Sequence, residues 1–183
     1  MQNLVSRSKV QGDYSLIAGG TQHDLSGNNS VIVGGKSHLL KGNRSTIIGG
    51  YSHQLNGNES SIIGGQKNTV NGDNNVVFGR NHSVNANHSF ILGGENVSMD
   101  ADHSVSMGIG NTVRHSGSWI YSDGSVSELS TSQENQVIWS SKNGVGINTL
   151  EPNQPTHSLT VNGVVKADYF IGEISIDKGT NKV

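Results

Sequence analysis

The sequence predicts an all-β protein, a parallel β-solenoid wound from repeats of 14–15 residues, on three recurring landmarks. The first is a serine, an apolar triplet and glycine: Ser15-Leu-Ile-Ala-Gly-Gly, Ser30-Val-Ile-Val-Gly-Gly, Ser45-Thr-Ile-Ile-Gly-Gly and Ser60-Ser-Ile-Ile-Gly-Gly. The second lies three positions before each serine position, at Gly12, Gly27, Gly42, Gly57, Gly72, Ala86 and Ala101, each followed by Asn or Asp. The third is one apolar residue two positions earlier still, at Val10, Leu25, Leu40, Leu55, Val70, Val84 and Met99.

Each landmark predicts one element. The triplets are rich in β-branched residues and show no helical periodicity, so each predicts a strand of about four residues. The Gly-Gly pairs predict a turn, the lone apolar residue a shorter strand, and glycine followed by Asn or Asp a second turn, because these residues tolerate left-handed backbone angles. Self-similarity at this period means stacked coils. Weaker copies follow at Asn75-Val-Val-Phe-Gly-Arg, Ser89-Phe-Ile-Leu-Gly-Gly and Ser104-Val-Ser-Met-Gly-Ile, with Ser118-Trp-Ile-Tyr as a degenerate last one. About seven coils at ~4.8 Å give a roll about 35 Å long. Ser106 interrupts the apolar ladder and is read as the place where stacking ends.

Neighbouring residues on a strand face opposite ways. The second triplet position (Ile17, Ile32, Ile47, Ile62, Val77, Ile91) and the third (Ala18, Val33, Ile48, Ile63, Phe78, Leu92, Met107) are both apolar. A coil interior buries one of these faces, so the other predicts an association surface, most simply for further copies of the same chain.

Composition narrows the function. Leu, Ile, Val and Phe supply about a quarter of the 183 residues, above the ~20% below which disorder is expected. Twelve basic and fourteen acidic residues, scattered and summing to a net charge of −2, provide no phosphate-tracking stripe, so no nucleic-acid partner is expected. There is no cysteine and hence no disulfide or thiolate metal site. No stretch approaches the ~20 apolar residues of a membrane span, and the first residues lack a signal peptide's apolar core. As written, the chain is expected neither to export itself nor to insert in a membrane.

The landmarks resemble the head repeats of trimeric autotransporter adhesins, whose units read Ser-Val-Ala-Ile-Gly or Ser-Thr-Ile-Gly-Gly-Gly followed by a small-residue turn. Ser104 to Val113 and Ser45 to Gly50 carry the best matches, and the resemblance spans roughly residues 10–117. It implies a left-handed parallel β-roll, three chains side by side, and adhesion. Downstream, Asn135 to Phe170 is similar to a module found after such repeats in phage tail fibres. It approximates Gly-Val-Gly-Ile-Gly-Thr, a Pro-containing loop and Leu-Asp-Val-Asn-Gly, departing at Asn148 and Thr160.

Together these give an expected homotrimer with a β-roll over 1–117, a polar transition over 118–136, a small β-rich C-terminal clasp over 137–172 and a tail over 173–183. The expected function is non-enzymatic attachment of a tail fibre, or of a contractile-particle fibre, to a host cell-surface receptor, glycan or protein. Other fibre subunits are further candidate partners, and the expected location is extracellular, on a virion or injection particle. The alternatives are the head of a bacterial surface adhesin and a structural spacer. Ice binding ranks behind these because no regular Thr ladder is present.

Positions that vary while the frame repeats are the receptor-contact candidates: Lys36, Tyr51 and Gln66 after the Gly-Gly pairs, and Arg44, Glu59, Asn74 and His88 before the strand serines. His23, His38 and His53 share one position in three coils, with Asn68 in the fourth. They are candidates for an ion-binding column, set against a polar ladder at a turn. Trp119, Tyr121 and Trp139 form an expected aromatic cluster, read as an end plug or trimer packing rather than a sugar platform. Asn-x-Ser triplets at Asn28, Asn43, Asn58, Asn87 and Asn96 are read as turn residues. No Walker loop, nucleophile elbow or His-Glu-x-x-His occurs, so no cofactor and no catalytic site are expected.

Overall fold

The protein is described by a computed structural model over residues 7–142 and, beyond them, by the strands Val145–Ile147 and Leu159–Val161. The chain divides into two units, Met1–Lys142 and Asn143–Val183. In the first, two parallel sheets face each other across a thin interior. The short sheet stacks eight two-residue strands: Lys9–Val10, Asp24–Leu25, Leu39–Leu40, Gln54–Leu55, Thr69–Val70, Ser83–Val84, Ser98–Met99 and Thr112–Val113. The broad sheet stacks nine: Leu16–Ala18, Val31–Val33, Thr46–Ile48, Ser61–Gln66, Val76–Arg80, Phe90–Ile91, Val105–Gly108, Trp119–Ser122 and Val137–Ser140. A coil therefore consists of one strand from each sheet and two turns, and the solenoid runs for about nine turns.

Register is what makes the interior continuous. Ile17, Ile32, Ile47 and Ile62 pair in line across four coils, followed by Val77, Ile91, Ser106, Ile120 and Ile138. Opposite them stand Leu25, Leu40, Leu55, Val70, Val84, Met99 and Val113, each with no exposed surface. An isolated coil would bury only two such side chains, so neighbouring coils supply one another's core.

Ser106 does not end the stack. It is buried, the Asn111 amide donates to its hydroxyl at 3.0 Å, and parallel pairing continues through Trp119–Ser122 to Val137–Ser140. A polar residue at a core position is tolerated where a partner satisfies it. Leu129 and Ile138 pack against the same core.

The strand serines are structural. Ser15, Ser30, Ser45 and Ser60 each receive at Oγ the main-chain N–H of the residue one coil on, at 3.0–3.2 Å. Asn75 does the same through Oδ1 for Ser89. Ser45 Oγ also points its proton at the carbonyls of Asn43 and Gly57, 2.9 and 3.0 Å away. Ser45→Ala leaves the buried Ser60 N–H without its partner, and the expected result is a loss of about 1–3 kcal/mol in urea unfolding.

The second unit contributes the parallel pair Val145–Ile147 with Leu159–Val161. The clasp expected over 137–172 begins instead with Val137–Ser140 in the broad sheet of the first unit, and its residues 143–144, 148–158 and 162–172, with the 173–183 tail, lie outside the described residues.

Candidate functional surfaces

Alternation along the broad-sheet strands places one residue inward and two outward. One outward column is Leu16, Val31, Thr46, Ser61, Val76, Phe90, Val105, Trp119 and Val137; the other is Ala18, Val33, Ile48, Ile63, Phe78, Leu92, Met107, Tyr121 and Trp139. Only Thr46 and Ser61 interrupt this apolar face, which nine strands at ~4.8 Å extend over about 38 Å. Its side chains are open to solvent: Leu16 at 56%, Ile48 at 43% and Leu92 at 41%. Soluble monomers rarely expose a contiguous apolar strip of this extent.

Trp119, Tyr121 and Trp139 continue the face and do not plug an end: Trp119 and Tyr121 alternate with buried Ile120 and Ser122, and Trp139 on the next strand is half-exposed. Trp139 lies 5.9 Å from both Trp119 and Tyr121, ring centre to ring centre. Phe78 and Phe90 meet edge to face at 6.0 Å, an arrangement that aromatic quadrupoles favour.

The receptor-contact candidates are all exposed, on the two turn edges of the coils. Lys36, Tyr51 and Gln66 stand in one column of parallel bridges beginning at Thr21 and continued by Arg80, Glu95 and Ile109, with Arg80 ion-paired to Glu95. Arg44, Glu59, Asn74 and His88 share the other edge with Tyr14, Asn29 and His103, and all seven adopt left-handed φ of 51–59°. Arg44 is ion-paired to Glu59, and the His88 and His103 rings stack at 5.1 Å. Behind this edge runs a groove lined by Asn28, Asn43, Asn58 and Asp73, whose side-chain oxygens each accept a main-chain N–H from the preceding coil at 2.7–2.9 Å. The three asparagines, each in an Asn-x-Ser triplet, are thereby committed to the turn ladder.

His23, His38 and His53 are inside the roll, not on a turn surface, and His82 joins them. Sequence reasoning missed His82 because the spacing from Asn68 drops to 14 residues. Alternation was the available signal: each of these histidines sits two positions before a buried Leu or Val and so faces the same way. Their Nδ1 atoms are occupied by main-chain N–H groups, and the rings of His23, His38 and His53 lie parallel, so no lone pairs converge on a common point. Among the described residues no three His, Cys, Asp or Glu side chains are grouped to hold a metal ion. Burial pushes His38, His53 and His82 down to about 4, with repulsion from its two neighbours adding to the shift at His38. His23 is lowered for the same first reason.

Stacked parallel coils with a thin core of two facing columns and ladder-forming corners define a β-roll protein. The model of the grass antifreeze beta roll family matches residues 25–122, more than half of the chain, and the protein belongs to that family. No curated protein matches the chain. Of the resemblance drawn from the repeats, the β-roll architecture is the part that this match and the coils support.

Proposed function

We propose that the chain is a non-enzymatic fibre subunit whose rolls associate in parallel, three together, through the outer face of the broad sheet and present their turn edges to a cell surface. The observation that carries this is the double apolar column itself. Water-exposed Val33, Ile48, Leu92, Trp119 and Trp139 on one flat surface have the composition of an interface core. Parallel association leaves both turn edges free and repeats Lys36, Tyr51, Gln66, Arg44, Glu59, Asn74 and His88 three times, so that weak contacts gain by avidity. A tail-fibre or contractile-particle subunit is the favoured setting; the head of a bacterial adhesin and a ligand-free spacer are the others. Alanine at Arg44, Glu59, Asn74 and His88 together is expected to weaken whole-cell binding; unchanged binding removes that edge from the reading.

The family match favours a second reading, in which the same outer face binds ice. A crystal plane presents one repeating unit and would be matched by one side chain in every coil, whereas the second outward column grows from Ala18 through Ile48 and Phe78 to Trp139. The two readings are mutually exclusive for a given face, because a face buried between chains cannot meet ice. Light scattering coupled to size exclusion, with an ice-recrystallisation assay on the same sample, separates them. Three chains without ice activity support the fibre; a single 19.3 kDa chain with ice activity transfers the face to the second reading, and a monomer without it removes both.

A further inference from the structure

His23, His38, His53 and His82 are each 0–2% exposed, and the first three stack with ring centres 4.9 Å apart and planes within 9° of parallel. Each Nδ1 accepts a main-chain N–H from the next coil: His38 N at 3.2 Å, His53 N at 3.2 Å, Asn68 N at 3.2 Å and Val97 N at 3.1 Å. An accepting nitrogen carries no proton, so these rings must be the neutral Nε2–H tautomer. Nε2 has no hydrogen-bond partner and lies against bare glycine backbone. A Cβ on Gly20, Gly35 or Gly50 would stand 2.3 Å from it, and one on Gly79 2.5 Å. Asn68 shows what the site asks of a side chain: its Oδ1 accepts His82 N at 3.0 Å and its Nδ2 donates to the Gly79 carbonyl at 2.7 Å.

We propose that the histidine column is a proton-operated latch, in which neutral imidazoles tie consecutive coils together and protonation at Nδ1 unties them, opening the roll from within. A proton on Nδ1 turns an acceptor into a donor that faces another donor, so each event removes one inter-coil bond. Among His23, His38 and His53 it also places a cation 4.9 Å from the next ring, with no buried carboxylate among the described residues to offset it. Among the described residues the four histidines are the only buried titratable groups. On the short sheet Lys9 and Asp24 flank the column, and on the turn edge Lys36, Lys67, Arg80 and Glu95 do. All six lie on or near the surface, and Glu95, the carboxylate that acts on His82, is already paired with Arg80. The latch is internal to each roll and does not depend on how many rolls associate.

The sign follows from burial. The unfolded rings titrate near 6.5 and the folded ones lower, at about 4 for three of them. The unfolded state therefore binds more protons between these values. Stability is complete above about pH 6.5, falls with pH through the interval and levels off below about 4. Glu95, Asp102 and Asp123 are held below the ordinary carboxylate range by hydrogen bonds, so their contributions fade only near pH 4 and below. The window from pH 7.5 to 5 thus belongs to histidine.

The test is equilibrium denaturation of the full chain across that window, beside a variant carrying His23→Asn, His38→Asn, His53→Asn and His82→Asn. Asparagine can take over the ladder, as Asn68 does, and cannot titrate. The wild type is expected to lose on the order of thirtyfold in its folding equilibrium between pH 7.5 and 5 for each of His38, His53 and His82, with a further loss from His23. The variant is expected to lose far less, since His88, His103, His115 and His157 are common to both. Equal losses in the two proteins overturn the latch. Should the variant fail to fold, nitrogen NMR of labelled histidine in the wild type decides: three rings, those of His38, His53 and His82, keeping a bare Nδ1 down to pH 5 support it, and rings protonating near 6.5 with the fold intact overturn it.

Discussion

Gly65→Ala is expected to abolish the folded roll, whereas Gly64→Ala, one residue earlier, is expected to cost only about 1 kcal/mol. Both glycines have left-handed backbone angles, φ +81° and +66°, so both substitutions carry the small penalty of an L side chain in that region. They differ in what the new methyl meets. At Gly64 the added Cβ has nothing within 4 Å. At Gly65 it would stand 1.7 Å from the Gly79 carbonyl oxygen and 2.7 Å from the carbonyl carbon. Both are main-chain atoms held in the parallel ladder, and no rotamer change can relieve the overlap. Coils are only ~4.8 Å apart, so the contact forces them apart at one corner and breaks pairing on both sides of it. The same column is glycine in every coil from Gly20 to Gly108. Losses above 4 kcal/mol arise from a short list of causes, and backbone overlap in a rigid core is among them. Circular dichroism and urea unfolding of the two variants read the contrast; similar stabilities would mean that the coils can separate locally without consequence.

The frame of this protein was legible because the repeat is nearly literal. Serine, triplet and glycine recur often enough that strand positions, inward Ile32, Ile47 and Ile62, and outward Val33, Ile48 and Ile63 follow from alternation alone. Less visible were the groups whose role depends on the next coil. Ser30 and Ser45 look like ordinary pre-strand polar residues until stacking shows each receiving an N–H from one period away. The histidines were counted as a column but placed on a turn, because polar residues before a two-residue strand read as loop. Their burial depends on Gly20, Gly35 and Gly50 leaving room for the imidazole three residues on. Ser106 misled for a related reason: a serine in an apolar ladder reads as an interruption, and only the contact with Asn111 shows it satisfied. Sequence periodicity reports which positions are equivalent; what equivalent positions do for one another across the stack requires the third dimension.

On the fibre reading proposed above, Ile48→Lys combined with Leu92→Lys is expected to reduce the native mass from three chains to one while leaving the melting of each roll nearly unchanged. Both side chains are more than two-fifths exposed in a single roll, so an isolated chain keeps its lysines in water, and the expected change in roll stability is within about 0.5 kcal/mol per site. In a parallel assembly each level of the face meets its own copies, and every lysine would bring like charges together in an apolar contact. An unpaired buried charge costs several kcal/mol, a large share of what a standard interface provides. Thr46 and Ser61 already leave the middle of the face with fewer apolar atoms, which makes Ile48 beside them a sensitive position. Gln54→Lys with Thr69→Lys, on the outer side of the short sheet, controls for added charge and is expected to leave the mass at three chains. If the native particle is a trimer that survives lysine at both 48 and 92, the broad face is not where the chains meet, and the double apolar column requires another occupant. If the wild type is a monomer, the lysines should change neither mass nor melting, and ice affinity becomes the property they are expected to remove.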